Sequence, residues 1–177
     1  MAYYDVDAIL TDAQKLSCTF ELDIPKLGFL DGNAGEDVKK GMKVELPLWL
    51  GEILAVGARA GASPPVTLDL PKALSEQVIN ALKAGPKSVD LRSQAPHFYQ
   101  LGARVLQLFE EEEMVDIISH TFKTRALQIA DHAHNLVGAQ GIGMEFLRGL
   151  DETERQLFRT MHTSVKDMQV CVGESKK

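Results

Sequence analysis

The spacing of hydrophobic residues changes along this chain from a period of two to a period near 3.6. From Cys18 to Ile24 apolar and polar residues alternate strictly, and the alternation returns from Met42 to Leu46. Because successive side chains on a strand point to opposite faces, both stretches are predicted to be half-buried strands. Residues 27–41 between them are rich in glycine, aspartate and asparagine, which predicts turns.

A short helix is predicted before the first strand, over residues 5–14. Asp5 suits the N-cap position, and Ile9 and Leu10 are expected to face inward. This entry helix and the two strands together predict a small β-rich module at the start of the chain.

Two prolines are predicted to open helices that carry large apolar groups. Proline at the first helical position gives up only an amide that would lack an intrahelical partner. Pro47 is followed by Trp49, the single tryptophan, and Pro96 is followed by Phe98 and Tyr99. Aromatic groups contribute much of the energy of cores and interfaces, so both helix starts are predicted packing surfaces.

The rest of the chain has a helical period. One helix is predicted after Pro71, ending at Gly85, a long one after the acidic run at 110–113, and a last one from Asp151. Glu154 follows Asp151 by three residues, as in a capping box. Beyond it, apolar residues recur at spacings of four, four, three and four, which is typical of a seam for a partner helix. The seam consists of Leu157, Met161, Val165, Met168 and Val172.

The change of period predicts an α+β fold that is mainly α. A small β-rich domain with its entry helix is expected at 1–62, and a helical bundle at 63–177. A chain of 177 residues is long enough for a small module and a larger one, and 45% apolar residues are typical of a globular protein.

Charge and cysteine usage narrow the class of function. A net charge of -6 argues against a broad basic face for nucleic acid, because such faces neutralise phosphates with Lys and Arg. No secretory signal or long apolar run accompanies Cys18 and Cys171, so both are expected to be reduced intracellular thiols, and no membrane contact is expected.

Candidate metal ligands are present but poorly arranged. His132 and His134 are two residues apart, so on a helix they point to different sides, and Asp131 does not change this. Asp116 and His120 share a face, yet no second carboxylate and histidine pair of the ferritin-like type accompanies them. We therefore predict no metal, no other cofactor and no catalytic residue; a small helical metal-binding enzyme is an alternative function.

Two further motifs have ordinary interpretations. The glycines from Gly138 to Gly143 lack both the Lys-Ser/Thr of a phosphate-binding loop and a preceding strand, so a loop between helices is predicted. The glutamates at 110–113 are interpreted as a solvated helix entry, with a docking patch for a basic partner as the alternative. A single-strand nucleic-acid-binding module is another alternative, in which cations form a groove and an aromatic ring stacks on bases. Its cations would be Lys72, Lys83, Lys87 and Arg92, and its ring Phe98 or Tyr99.

Ordered blocks along nearly the whole chain resemble the family of third PSF subunits of the eukaryotic GINS complex. The blocks are 5–10, 45–50, 68–72, 89–91, 96–99 with Gly102, and 150–158. Each block is weak alone, but their order and spacing are fairly specific. The resemblance implies a helical A domain preceded by a small β-rich B domain, in agreement with the division obtained from periodicity. The chain ends at 173–177 without the longer basic tail of some family members, which puts any tail-mediated contact in doubt.

The resemblance also implies a function without catalysis. GINS is a nuclear heterotetramer that joins the hexameric MCM ATPase ring and a RecJ-like factor in the replicative helicase. The implied partners are therefore three sister GINS subunits, the MCM ring and the RecJ-like factor, with DNA contacted only through the complex.

Apolar residues in the predicted helices are the candidates for core or interface positions. If Trp49 is fully buried, its replacement by alanine is expected to lower the free energy of unfolding by about 3 to 5 kcal/mol. The candidates are Leu46, Trp49, Leu50, Phe98, Tyr99, Phe122, Leu157, Phe158, Met161, Val165 and Met168.

Overall fold

A computed structural model describes residues 4–33, 35–56, 64–109, 111–134 and 142–174. The chain divides into two compact units, Met1–Lys72 and Ala73–Lys177. The predicted boundary between residues 62 and 63 lies outside the described residues and stays a prediction. The α+β, mainly α fold class is confirmed. None of the helices in the described ranges has the length and apolar character needed to cross a bilayer.

The first unit is built on a three-stranded antiparallel sheet. Its strands are β1 (Lys15–Phe20), β2 (Lys43–Pro47) and β3 (Val66–Leu68), and β1 lies between the other two. One face of the sheet is apolar because alternate residues of each strand point to it. The buried side chains on these strands are Leu16, Cys18, Phe20, Val44, Leu46 and Val66.

The strands differ from the prediction at both ends of β1 and by one additional strand. β1 begins at Lys15, three residues before the predicted start at Cys18, and ends at Phe20, short of the predicted end at Ile24, which forms an isolated bridge with Val38. The three-residue strand β3 was not predicted, because it is too short to show an alternating pattern.

The entry helix α1 (Val6–Asp12) forms as predicted, but its apolar side chains do not face inward. The Asp5 side chain accepts the Asp7 amide at 3.1 Å, which confirms the N-cap. Ile9 and Leu10 are at least half exposed, whereas Thr11 is buried. The inward orientation of Ile9 and Leu10 is therefore wrong: the side of this short helix that faces the unit presents the Thr11 hydroxyl, which donates to the Asp7 carbonyl.

Helix α2 (Leu48–Val56) begins one residue after Pro47, which is the last residue of β2. The Leu48 amide donates to the Gln14 carbonyl at 2.8 Å, so the first turn is tied to the chain between α1 and β1. A Cβ at Gly51 would lie 2.9 Å from the end of the Leu68 side chain, so α2 comes close to the sheet at this glycine. Trp49 is 48% exposed, so the condition of full burial attached to its expected stability loss is not met, and it stays a candidate interface residue.

The second unit is helical throughout its described ranges. A 3-10 turn at Lys72–Leu74 leads into it, and buried apolar residues of several helices form its core. Its helices are α3 (Glu76–Ala84), α4 (Leu91–Gln94), α5 (Phe98–Leu108), α6 (Glu112–His134), α7 (Ile142–Arg148) and α8 (Glu152–Glu174).

Helix α5 begins later than predicted. His97 is its N-cap residue and Phe98 its first residue, so Pro96 lies outside the helix. The Pro96 carbonyl accepts the amide of Glu152 at 2.9 Å, which ties the turn before α5 to the first residue of α8. Phe98 is completely buried, as predicted for a core position.

Replacing the buried Phe98 should cost far more stability than replacing the exposed Trp49. We expect Phe98→Ala to lower the free energy of unfolding by about 3 to 5 kcal/mol. Trp49→Ala should cost less than about half of that, because much of its ring is already in water. Urea unfolding of the two variants beside the parent protein measures both values, and equal losses would contradict the assigned burial.

Candidate interaction surfaces and the buried charge centre

A completely buried ion pair lies at the middle of the second unit. Arg125 of α6 and Glu154 of α8 have side chains 1% and 0% exposed. The Arg125 Nε donates to Glu154 Oε1 at 2.6 Å, and Nη2 donates to Oε2 at 2.9 Å. This two-pronged geometry matches the planar guanidinium to the carboxylate and gives the strongest class of charge-assisted hydrogen bond.

The remaining donors of Arg125 bind three carbonyls in two chain turns. Nη1 donates to the carbonyls of Pro86 and Val89 at 3.0 and 2.9 Å, and Nη2 lies 3.4 Å from the carbonyl of Gly149. Arg125 therefore connects α6 with the segment between α3 and α4 and with the turn between α7 and α8. A Cβ at Gly149 would lie 3.3 Å from the Asp90 backbone, so the two turns approach each other closely at this glycine.

The carboxylate of Glu154 also closes the predicted capping box. The Glu154 amide donates to Asp151 Oδ1 at 2.8 Å, and the Asp151 amide lies 3.4 Å from Glu154 Oε2. The Tyr99 hydroxyl donates to Glu154 Oε1 at 2.9 Å. The capping box is confirmed, and its glutamate is shared among a helix cap, an arginine and a tyrosine.

Burial shifts the pKa values of two members of this cluster. Loss of water, followed by the negative charge of Glu154, raises the pKa of the Tyr99 phenol well above its ordinary value. Loss of water also raises the pKa of Asp151 to about 6, although hydrogen bonds from the amides of Glu154 and Tyr99 oppose the change. Because Arg125 and Glu154 are enclosed and joined to each other, they tie α6 to the start of α8.

The sequence contained one sign that Arg125 is buried, namely its position in the hydrophobic period of α6. The predicted buried stripe of α6 passes from Phe122 to Ile129, a gap of seven residues in which position 125 completes the helical period. A charged residue at a stripe position indicates a buried partner, but the sequence did not identify that partner.

The candidate metal ligands do not gather in the described residues. Across the described ranges, no group of three or more His, Cys, Asp and Glu side chains is placed to hold a metal ion. The His134 ring nitrogen lies 2.7 Å from the Ala130 carbonyl one turn earlier, and His132 packs beside the Phe146 ring. His120 lies 3.5 Å from the Thr124 hydroxyl. The Gly138–Gly141 part of the glycine-rich segment lies outside the described residues, and Ile142 begins α7.

The nucleic-acid-binding alternative needs the ring of Phe98 or Tyr99 to stack on bases. Both rings are engaged by other parts of the protein. Phe98 is buried in the core. Tyr99 packs edge to face on Phe122, with ring centroids 5.1 Å apart, and its hydroxyl is bound to Glu154. Lys83 pairs with Glu113, which is one of the glutamates of the acidic run. These contacts disfavour the single-strand-binding alternative.

The predicted seam of α8 divides into a covered part and an uncovered part. Its first part packs inward, because Leu157, Phe158 and Met161 cover the core residues Ile129 and Phe146. Its second part has little cover: Val165 is half-buried, Met168 is 70% exposed, and the apolar residues near the end of the helix are also exposed. Exposed apolar residues in continuous sets are typical of protein interfaces.

The second unit also contains a groove. It has a volume of about 460 Å³ and lies between α5 and α6 beside the start of α8. Tyr99, Val115 and Phe122 are among its lining residues, and Lys123 and Thr153 lie at it as well. Tyr99 and Phe122 from the predicted set are therefore neighbours, half-buried and on one concave surface.

The first unit has its own exposed apolar face on α1 and α2. Ile9 and Leu10 lie on α1, and Trp49, Ile53 and Val56 lie on α2. Their side chains are 48% to 70% exposed. Leu46 is buried in the sheet and Leu50 is half-buried, so the predicted set divides here between core and surface.

Two family models match this chain. The PSF3 N-terminal domain matches residues 4–56, and the GINS complex protein helical bundle domain matches residues 73–169. A relative named "DNA replication complex GINS protein psf3" from Aspergillus fumigatus is 66% identical over 177 residues, covering 100% of this chain and 99% of the relative. Relatives of the same description from Phaeosphaeria nodorum and Schizosaccharomyces pombe are 61% and 38% identical, covering 99% and 95% of this chain and 98% and 95% of themselves.

The matched domains and the order of the two units agree with the geometry described above. This chain therefore belongs to the GINS protein family, in the branch formed by its Psf3 members. The resemblance predicted from the ordered sequence blocks is confirmed.

Removal of the buried arginine should be strongly destabilising. Arg125→Met leaves the Glu154 carboxylate in the core without its partner, and we expect a loss of about 3 to 5 kcal/mol in the free energy of unfolding. The exposed Arg148→Met should change it by less than about 0.5 kcal/mol. Adding Glu154→Gln to Arg125→Met should recover part of the loss, since it removes the unpaired charge. Chemical unfolding measures all three, and equal stabilities of the two arginine variants would contradict this role.

The raised pKa of Asp151 should appear as a pH dependence of stability. A carboxyl group with a pKa near 6 in the folded protein and 3.8 in the unfolded chain stabilises the fold below pH 3.8 and loses this contribution as pH rises through 6. The difference corresponds to about 3 kcal/mol. Asp151→Asn keeps the cap acceptor without the charge, so its stability relative to the parent should rise between pH 4 and pH 7. A constant difference over this range would contradict the assignment.

Proposed function

We propose that this chain is a non-catalytic structural subunit of a GINS complex, and that it acts in the nucleus within the replicative helicase. Its partners in this proposal are three sister subunits, the MCM hexameric ATPase ring and a RecJ-like factor, and DNA is contacted only through the complex. Membership in the Psf3 family supports this, because the relatives carry the description of DNA replication complex GINS proteins.

The observation that supports an assembly role most directly is the uncovered half of α8. From residue 163 to residue 172 every side chain except Val165 is exposed, yet Val165, Met168 and Val172 keep the helical spacing of a buried seam. An isolated helix end has little reason to keep apolar residues in register. A partner helix packed on this seam would bury them, in an obligate interface of about 2,000 Å² or more in total.

The metal-enzyme and single-strand alternatives are not favoured. His120 and His134 contact a side chain or a carbonyl of their own helix, and His132 packs beside a ring of α7. Phe98, one of the two candidate stacking rings, is in the core. The charges of Arg125 and Glu154 neutralise each other in the core of the second unit, away from solvent.

Charge placed in the α8 seam should weaken assembly without unfolding the chain. We expect Met168→Glu to lower retention of sister subunits at least about tenfold in coexpression and affinity purification, which corresponds to about 1.4 kcal/mol. Thr163→Glu adds the same charge to an exposed position on the opposite side of the helix and should leave retention unchanged. Equal retention of both variants would contradict the seam as an interface.

The isolated chain provides a second test. With its seam uncovered, it should associate or precipitate when produced without sister subunits, and light scattering on freshly purified protein measures this. A stable, soluble monomer would contradict the obligate interface.

A further inference from the structure

An exposed lysine lies in a distinctive tetrapeptide at the edge of the small sheet. The tetrapeptide is Met42-Lys43-Val44-Glu45, and all but its first residue belongs to β2, an edge strand in the order β2, β1, β3. Conjugating enzymes for the small ubiquitin-related modifier read a large apolar residue, a lysine, any residue and an acidic residue, presented in extended form. Lys43 is the only lysine of this sequence with that pattern around it.

The strand presents the four residues in the way such reading requires. Lys43 and Glu45 are two residues apart on a strand, so their side chains leave the same face, and both are exposed. Val44, at the position where any residue is tolerated, is the one that points into the core. Met42 precedes the strand and is half-buried. Anchoring through Val44 therefore keeps the tetrapeptide extended without hiding the two charged groups.

Neighbouring lysines lack this combination. Lys39 follows the apolar Val38 but has Gly41 at the acidic position, and Lys40 lies in the same turn. Both are exposed. They serve as matched comparisons, because they differ from Lys43 in surrounding sequence and not in access to solvent.

One contact must open before Lys43 can react. Its Nζ lies 2.8 Å from Asp69 Oδ2, with the two side chains 65% and 36% exposed. An exposed ion pair of this kind contributes little to the stability of the fold. Breaking it therefore adds only a small free-energy cost to a reaction at Nζ.

We propose that Lys43 is a conjugation site for a small ubiquitin-related modifier, with Glu45 as the acidic recognition residue. The modifier arrives as a thioester between its C-terminal glycine and the active-site cysteine of the conjugating enzyme. The Lys43 ammonium gives a proton to water, and the neutral Nζ attacks the thioester carbonyl carbon. The C–N bond forms, the C–S bond breaks, and the leaving cysteine thiolate takes up the second proton from the nitrogen, so the products are a neutral isopeptide and the enzyme with its free thiol.

The test is conjugation of the full chain, copurified with sister subunits, by purified activating enzyme, conjugating enzyme, modifier and ATP. Mass spectrometry should place the modifier on Lys43, and Lys43→Arg should abolish that product. Glu45→Gln should lower the initial rate about tenfold, as expected for loss of a charge-assisted contact. Lys40→Arg should leave the rate unchanged, and Asp69→Asn should raise it about twofold by freeing Nζ.

Three results would overturn the proposal. One is no product on Lys43 while a reference substrate in the same mixture is modified. Another is an unchanged rate with Glu45→Gln, which would make Lys43 an incidental surface lysine. The third is modification of Lys43 by ubiquitin and its enzymes alone. Unchanged thermal melting midpoints of the variants serve as the folding control.

Discussion

The buried pair of Arg125 and Glu154 places a strong constraint on the second unit. Removing two charges from water is costly, and the cost is offset only when every donor and acceptor finds a partner. Arg125 meets this requirement through Glu154 and the carbonyls of Pro86, Val89 and Gly149. The helices α6 and α8 and two chain turns must therefore hold one arrangement, because a shift in any of them would leave a charge or a carbonyl unpaired.

This constraint determines which residues remain for the surface. Glu154 closes the cap of α8 and holds the Tyr99 hydroxyl, so the start of α8 is fixed against α5 and α6. The rest of α8 extends from this fixed start, and its Met168 side chain reaches solvent. A rigid base with an uncovered apolar helix end is suited to holding other chains in place, in agreement with the proposed role of an assembly subunit.

The core of the first unit is formed in a different way. Its core comes from alternating strand residues such as Leu16 and Phe20, and the close approach of α2 at Gly51 covers the sheet. The same alternation that buries Val44 exposes Lys43 and Glu45 on the edge strand. Structural stability and an accessible charged tetrapeptide are therefore consequences of one strand register.

Local pattern in the sequence determined the kinds of element, their order and the caps at Asp5 and Asp151, because periodicity and capping depend on residues only a few positions apart. It did not determine which apolar helix positions would be covered. Trp49 was a candidate for either a core or an interface position, and the structure leaves 48% of it exposed, since burial depends on which other elements reach that face of α2. Nor did it determine that Arg125 would meet Glu154, 29 residues later in the chain. Only the tertiary structure decided these contacts, because they depend on how distant helices pack and on the requirement that each buried charge be paired.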